Sequence, residues 1–179
     1  MPFSLYLAGY DVFRPDAVAY GERLKALCAQ YGFQGLYPLD KAGPADLGGP
    51  ELAAWIYRAN IALIRQADGV IANLNAFRGA EPDSGTAFEV GYAVALGKPV
   101  WAYTSVAASI VEQVAVAKST DGLSHIDAQG FTVEDFGMNL NLMLACSATV
   151  VVGDAEACLV QAARDVARYA GAGPAAPSA

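Results

Sequence analysis

Glu89 is the residue of this chain whose position most needs a chemical explanation. It is the one charge inside DSGTAFEVGYAVALG (83 to 97), a run that opens on Asp83 and Ser84 and closes on glycine. A helix that is apolar on every side is normally buried. An ionised carboxylate in such a place is costly unless it is paired, hydrogen-bonded or kept for a task. Glu89 therefore has either a structural partner or a reaction to perform, and spacing alone leaves the two readings even. Its place on the second turn, near the helix N-terminus, favours the ionised form, so the sequence predicts a carboxylate rather than an acid. Asp and Ser are ordinary helix caps, but Glu81 and Asp83 beside Pro82 are more acids than one cap needs. Asp83 is accordingly expected to face a ligand.

Other chemistries find little support. His125 is the only histidine and falls in a polar stretch, where it reads as a solvated surface residue. Cys28, Cys146 and Cys158 are odd in number and lack CxxC spacing, which suggests neither a disulfide framework nor a zinc site. Nucleophilic Cys or Ser triads lack a second base. AGYDVF is not a GxGxxG loop and no GxxxxGK[ST] occurs, so dinucleotide and triphosphate cradles are missing their phosphate loops. Carboxylates remain. Tyr6, in the first apolar run, reads as core unless its hydroxyl has a partner, for which Glu89 is a candidate. Asn60 and Asn141 are amides among apolar neighbours and must be hydrogen-bonded if buried.

The elements that position these groups alternate along the chain. FSLYLAG (3 to 9) reads as a strand, DAVAYGERLKALCAQYGF (16 to 33) as a helix, QGLYPL (34 to 39) as a strand and DKAGPADLGGP (40 to 50) as a loop. A helix over 51–67, a buried strand over 68–74, the loop 75–83, the Glu89 helix and a strand over 98–104 follow. Beyond them the pattern predicts a helix over about 105–117, a polar loop containing TDGLSHIDAQG, a helical MNLNLMLACS, a strand over 148–153 and a helix over 154–170. This alternation implies βαβ units. The expected fold is α/β and flavodoxin-like, a doubly wound parallel five-stranded sheet in the order 2-1-3-4-5 with helices on both faces. Ligands of such sheets bind at the carboxyl ends of the strands, beside strand 1. Gly9, Tyr10, Asp11 and Phe13 of the first loop, Asp40 of the second, and Arg78, Glu81 and Asp83 of the third would then converge on a pocket for an uncharged, ring-bearing ligand.

Length and composition bound the rest. The 179 residues fit one domain, placed at 1–170, with 171–179 a Pro/Ala tail expected to be disordered. A net charge of −7 gives no footprint for a nucleic acid polymer. Without a leader-like start or a run of about 18 apolar residues, the expectation is a cytoplasmic protein that does not enter the membrane. Apolar residues make up 55% and charged ones only 16%, so part of the surface is expected to lie in a homo-oligomer interface.

LYLAGYDVFRPDA, ANIALIRQADGVIANLNAFRGAEPDSGTAFEVGYAVALGKPV and FGMNLNLML, in that order, together resemble the nucleoside 2-deoxyribosyltransferase family over nearly the whole chain before the tail. The resemblance implies transfer of a 2-deoxyribosyl group between nucleobases, with a 2′-deoxynucleoside and a free nucleobase as partners and with no metal or organic cofactor. It also implies that Glu89 is the nucleophile, that Asp83 is the aspartate six residues before it, and that Tyr6 orients Glu89. Asn141, Leu142 and Met143 correspond to a segment that reaches into a neighbouring subunit's site. The residues agree with that chemistry: a carboxylate under the anomeric carbon can stabilise an oxocarbenium-like state and then bond to it. Asp83 or Asp40 would help protonate the departing base, Asn60 would hold its ring, Gly9 would line the site, and Phe13 and Tyr10 would stack on the base. Two departures stand out. Asn60 occupies a position where some members carry an aspartate, and some members use a C-terminal carboxylate that the Pro/Ala tail does not resemble. A hydrolase acting on 2′-deoxynucleoside 5′-monophosphates and a non-catalytic nucleoside-sensing module are the alternatives.

Overall fold

The chain is described by a computed structural model over residues 1–114 and 116–171. Its elements are β1 (Phe3–Ala8), a 3-10 turn at Tyr10–Phe13, α1 (Ala17–Gln30), β2 (Phe33–Leu36), a 3-10 turn at Pro38–Asp40, α2 (Gly49–Gln66), β3 (Gly69–Asn73), α3 (Ser84–Ala95) and β4 (Val100–Thr104). There follow α4 (Ile110–Gln113), β5 (Val116–Lys118), β6 (His125–Asp127), β7 (Thr132–Val133), α5 (Leu142–Ala145), β8 (Thr149–Val152) and α6 (Ala155–Gly171).

Five strands form one parallel sheet in the order β2-β1-β3-β4-β8. This is the flavodoxin-like 2-1-3-4-5 order that the βαβ alternation predicts. β3 and β4 are buried along their whole length, as strands covered on both faces must be. Because successive side chains alternate between faces, the core divides in two. Tyr6, Val70, Ala72 and Ala102 pack with Ile64 of α2 and Val90 and Ala93 of α3. Leu5, Leu7, Ile71, Trp101 and Tyr103 pack on the other face with Cys28 of α1 and Cys158 and Leu159 of α6. One residue's alternation thus turns Tyr6 toward the helix that bears Glu89. Burial pushes the Cys28 thiol up to about 11 and the Cys158 thiol to about 12, so both behave as apolar core.

Several elements differ from the sequence-based expectation. The second strand ends at Leu36, because Pro38 starts a 3-10 turn instead of extending the pairing. The helix expected over 105–117 is one turn, capped reciprocally by Ser109 and Glu112, after which β5 begins. The β-branched Val114 and Val116 favour a pleated surface over a continued helix. His125 is not in a solvated loop. It lies on the middle strand of a three-stranded antiparallel sheet β5-β6-β7, its side chain 18% exposed and its Nδ1 3.2 Å from Asp135 Oδ2. The helix expected in MNLNLMLACS shrinks to α5, because Asn141 accepts from the Met143 amide as an N-cap and Asn139 donates to the Val106 carbonyl. By capping the backbone locally, Asn141 starts the helix there and keeps it from running back through Asn139. Gly171 ends α6, and residues 172–179 of the expected tail lie outside the described residues. No helix among the described residues is long and apolar enough to cross a membrane.

Candidate active site

β1 and α3 between them create the central contact of the site. The Tyr6 hydroxyl, on a fully buried side chain, donates to Glu89 Oε1 at 2.6 Å. From α2, Asn60 Nδ2 reaches the same oxygen at 3.4 Å, a long and weak bond. Asn60 Oδ1 is buried and has no partner among the described residues, so it offers an acceptor to whatever occupies the cavity. The Glu89 carboxyl is pushed up to about 7, first by burial and then by the nearby Asp83 charge, against the lowering effect of the Tyr6 bond and the weaker Asn60 bond. This corrects the expectation of a plain carboxylate. The helix N-terminus is worth up to about 1 kcal/mol, which is less than dehydration costs here. At neutral pH the carboxyl is therefore poised between its two forms. Tyr6 is pushed well above the ordinary tyrosine range, chiefly by burial and also by Glu89, and serves only as a donor.

Asp83 is a helix cap and also borders the cavity. As the N-cap of α3, its Oδ2 accepts from the Thr86 amide at 2.9 Å and from Thr86 Oγ1 at 3.0 Å. It also lines the cavity that holds Glu89. That cavity, about 480 Å³, is bounded by Gly9 and Phe13 after β1, by Leu39 and Lys41 after β2, and by Trp55, Ile56 and Asn60 of α2. The spacing of Trp55, Ile56, Ala59 and Asn60 puts all four on one face of their helix. The lining is mainly aromatic and aliphatic, with a few polar groups, the usual composition of a small-molecule site.

Gly9 is there because of a close approach. A Cβ at this position would stand 2.9 Å from both Asn73 Cβ and Asp11 Oδ2. Asp11 was expected at the pocket but turns instead to Asn73, which the sequence reading did not name, and the two together hold this loop. Both are 4% exposed, and Asn73 Nδ2 donates to Asp11 Oδ2 at 2.8 Å. Asn73 Oδ1 accepts in turn from the Asn75 amide and side chain, and Asn75 Oδ1 accepts from Ser105. The available signal was an amide closing an otherwise apolar central strand, at the end where ligands of such sheets bind.

Five residues expected at the pocket, Tyr10, Asp11, Asp40, Arg78 and Glu81, do not line it. Asp40 does not line the cavity: its Oδ1 takes Lys25 Nζ at 2.6 Å and its Oδ2 takes the Tyr37 amide at 2.9 Å. A lysine on the neighbouring helix and a local turn hold this side chain away from the cavity. Tyr10 also lies off the cavity, its ring stacked on Phe77 at 4.8 Å. Phe13 stacks on Phe77 as well, at 5.4 Å, but also lines the cavity. Arg78, at a φ of 56°, lies over both the Phe13 and Phe77 rings. Asn141 and Met143 do not reach Glu89 of their own chain. They border a separate apolar groove of about 520 Å³ against Ala87, Gly91 and Val94 of α3, with Met143 71% exposed. Among the described residues no cluster of three or more His, Cys, Asp or Glu is placed to hold a metal ion.

Comparison with known proteins finds relatives of the chain. Residues 5–143 match the family described as nucleoside 2-deoxyribosyltransferase. A 2-desoxiribosyltransferase from Leishmania mexicana is 36% identical, superposes with a TM-score of 0.71, and is matched over 91% of this chain and 98% of its own. A 2-deoxyribosyltransferase from Bacillus psychrosaccharolyticus, 18% identical over 85% of this chain and 87% of its own, superposes at 0.56 and shares the fold. An uncharacterized protein of Schizosaccharomyces pombe is 39% identical over 104 residues, 56% of this chain. The matched stretch spans about half, 49%, of that curated relative's length.

Proposed function

This chain belongs to the nucleoside 2-deoxyribosyltransferase family, and from that premise we propose that it moves a 2-deoxyribosyl group from one nucleobase to another through a covalent bond to Glu89. The observation that carries the reading is the Glu89 carboxyl set inside a cavity with the Tyr6 hydroxyl 2.6 Å from one of its oxygens.

The chemistry follows from that geometry. Cleavage of an N-glycosidic bond develops positive charge on the anomeric carbon, and a carboxylate against that carbon stabilises it and then captures it. Tyr6 keeps Glu89 in one orientation and leaves its second oxygen for attack. The aromatic and aliphatic walls at Phe13, Trp55 and Ile56 suit a flat base, and Asn60 Oδ1 can accept from a ligand N–H or O–H. A second base entering the same cavity reverses the steps and takes the sugar. Half-buried Asn141 and exposed Met143, both outside their own Glu89 cavity, would complete the site of a neighbouring subunit in a homo-oligomer.

The test is to incubate the protein with a 2′-deoxynucleoside and a different free base and to separate the products. A new nucleoside is expected. Free sugar alone would mean a hydrolase, and no reaction would mean a binding module. Glu89→Ala should abolish transfer while retaining the native circular dichroism spectrum, and near-normal turnover in that variant would falsify the nucleophile assignment. Mixing inactive Glu89→Ala with inactive Asn141→Ala chains should restore activity if sites are built from two subunits; no recovery after subunit exchange would refute that arrangement.

A further inference from the structure

We propose that Glu134 is a positioning residue for glycosyl transfer: it fixes Asn141 and Met143 in the arrangement in which they complete a neighbouring subunit's site, and the β5-β6-β7 sheet is the platform that delivers it. This rests on the two-subunit reading above. Glu134 follows directly on β7. Its Oε1 accepts from the Leu142 amide at 2.9 Å, a hydrogen bond of ordinary length from a backbone N–H to a carboxylate. Its Oε2 lies 3.5 Å from Asn141 Nδ2, a long contact. Asn141 Oδ1 in turn accepts from the Met143 amide at 3.0 Å. Two of the amide groups that a helix leaves free at its start are thus satisfied, one by Asn141 itself and one by a side chain eight residues upstream. A carboxylate only accepts, so Glu134 also decides which way the Asn141 amide faces, nitrogen toward Glu134 and oxygen toward Met143.

The strands around Glu134 hold it in place. Val133 pairs with His125 of β6, and His125 Nδ1 lies 3.2 Å from Asp135 Oδ2. The residues on both sides of Glu134 are therefore tied to the middle strand of the small sheet. The start of the segment is fastened as well. The Ile110 amide donates to the Met138 carbonyl at 2.8 Å, Asn139 Nδ2 to the Val106 carbonyl at 2.7 Å, and Gln113 Nε2 to the Asn139 carbonyl at 2.8 Å. Leu140 is buried in the core on the α3 face. All these ties converge on a short turn that ends in the exposed Met143 side chain, outside the Glu89 cavity of its own chain. Methionine is unbranched, with three rotatable bonds, and a fixed backbone beneath it lowers the ordering cost of docking it against a second chain. Among the described residues, none of β5, β6 or β7 lines the Glu89 cavity of its own chain. The small sheet acts on the reaction through the neighbour.

The experiment asks in which subunit Glu134 acts. Transfer is followed with 2′-deoxyadenosine and hypoxanthine, and in parallel with thymidine and cytosine. Glu134→Ala should raise KM about tenfold while kcat stays within about threefold, the pattern of loosened binding contacts rather than altered chemistry. Glu134→Gln keeps an acceptor for the Leu142 amide and should recover most of that loss. Glu134→Ala chains are then co-expressed, under a second tag, with an excess of inactive Glu89→Ala chains. In the purified hybrids the intact nucleophile of one chain meets the intact Asn141 segment of the other, and kcat/KM per Glu134→Ala chain should rise about tenfold, toward the parent value. A Glu134 that only holds its own chain together would give no recovery, and that result overturns the proposal. Hybrids carrying Asn141→Ala run alongside. Recovery there without recovery for Glu134→Ala removes the role of Glu134 alone; failure of both, or of hybrids to form, removes the two-subunit reading with it. Absence of transfer by the parent protein would overturn both readings. Amide hydrogen exchange gives a measure free of turnover: in Glu134→Ala the Leu142 and Met143 amides should exchange at least about tenfold faster, with β1 and β3 unchanged. An unmoved Met143 amide would show that Glu134 does not hold the segment.

Discussion

Replacing Glu89 with glutamine should stabilise the protein at alkaline pH while abolishing transfer. The magnitude follows from the environment of the carboxyl. In the folded protein its pKa is raised from 4.5 to about 7, by burial first and Asp83 second. Between those two values the folded state holds a proton that the unfolded state has released, so stability falls as pH rises. It is highest below about 4.5 and has lost its full share above about 7. At about 1.4 kcal/mol for each tenfold change the loss is roughly 3 kcal/mol, and about 2 kcal/mol once the water that reaches the cavity mouth is allowed for. Glutamine has nearly the same shape, still accepts from Tyr6, and has no charge to dehydrate. Thermal melts at about pH 4 should place the two proteins together, whereas at about pH 8 the variant should melt roughly 4–8 °C higher for a chain of this size. Equal melting temperatures at both pH values would refute the claim that Glu89 is a dehydrated carboxyl.

Three further outcomes follow from individual contacts. Tyr6→Phe removes a charge-assisted hydrogen bond worth about 1.5–3 kcal/mol and one of the influences that lower the Glu89 pKa. The limb of the kcat/KM profile that reports Glu89 should move up by about 1–2 pH units with at least a tenfold loss of rate, and a downward movement would contradict the 2.6 Å contact. Gly9→Ala puts a methyl 2.9 Å from Asn73 Cβ and Asp11 Oδ2, so it should cost about 1–3 kcal/mol in denaturant unfolding and raise KM more than it lowers kcat. Asp40→Asn should leave KM and kcat within about twofold and stability within about 1 kcal/mol, because its Lys25 pair is near the surface; a large rise in KM would restore Asp40 to the site.

The parts of the fold that were legible in sequence are those governed by local pattern. Apolar runs ending at Ala8, Asn73 and Thr104, alternating with helical periodicity, specify a parallel sheet and its order. Period two within FSLYLA turns Tyr6 to the same side as α3, which is why its pairing with Glu89 could be anticipated from residues 83 positions apart. The stretch from Ser105 to Ala148 was less legible, since a single capping box and scattered β-branched residues fit a helix or a strand equally well. Whether β5 or a longer α4 forms is settled by pairing with β6, a partner that no local window contains.

By itself the sequence determined which groups are available for chemistry: a glutamate in an apolar helix, an aspartate at its start, a tyrosine on the adjoining strand, and neither a second histidine nor a phosphate loop. Only the tertiary structure decided the state and reach of those groups. Dehydration, and not position along the helix, sets the charge of Glu89. A lysine on α1 withdraws Asp40 from the cavity, and a buried Asp11–Asn73 bond shapes the loop at Gly9. The reason is physical: periodicity and capping depend on neighbours within a few residues, whereas the free energy of a charge depends on everything within several ångströms of it, and folding brings those groups together from distant parts of the chain.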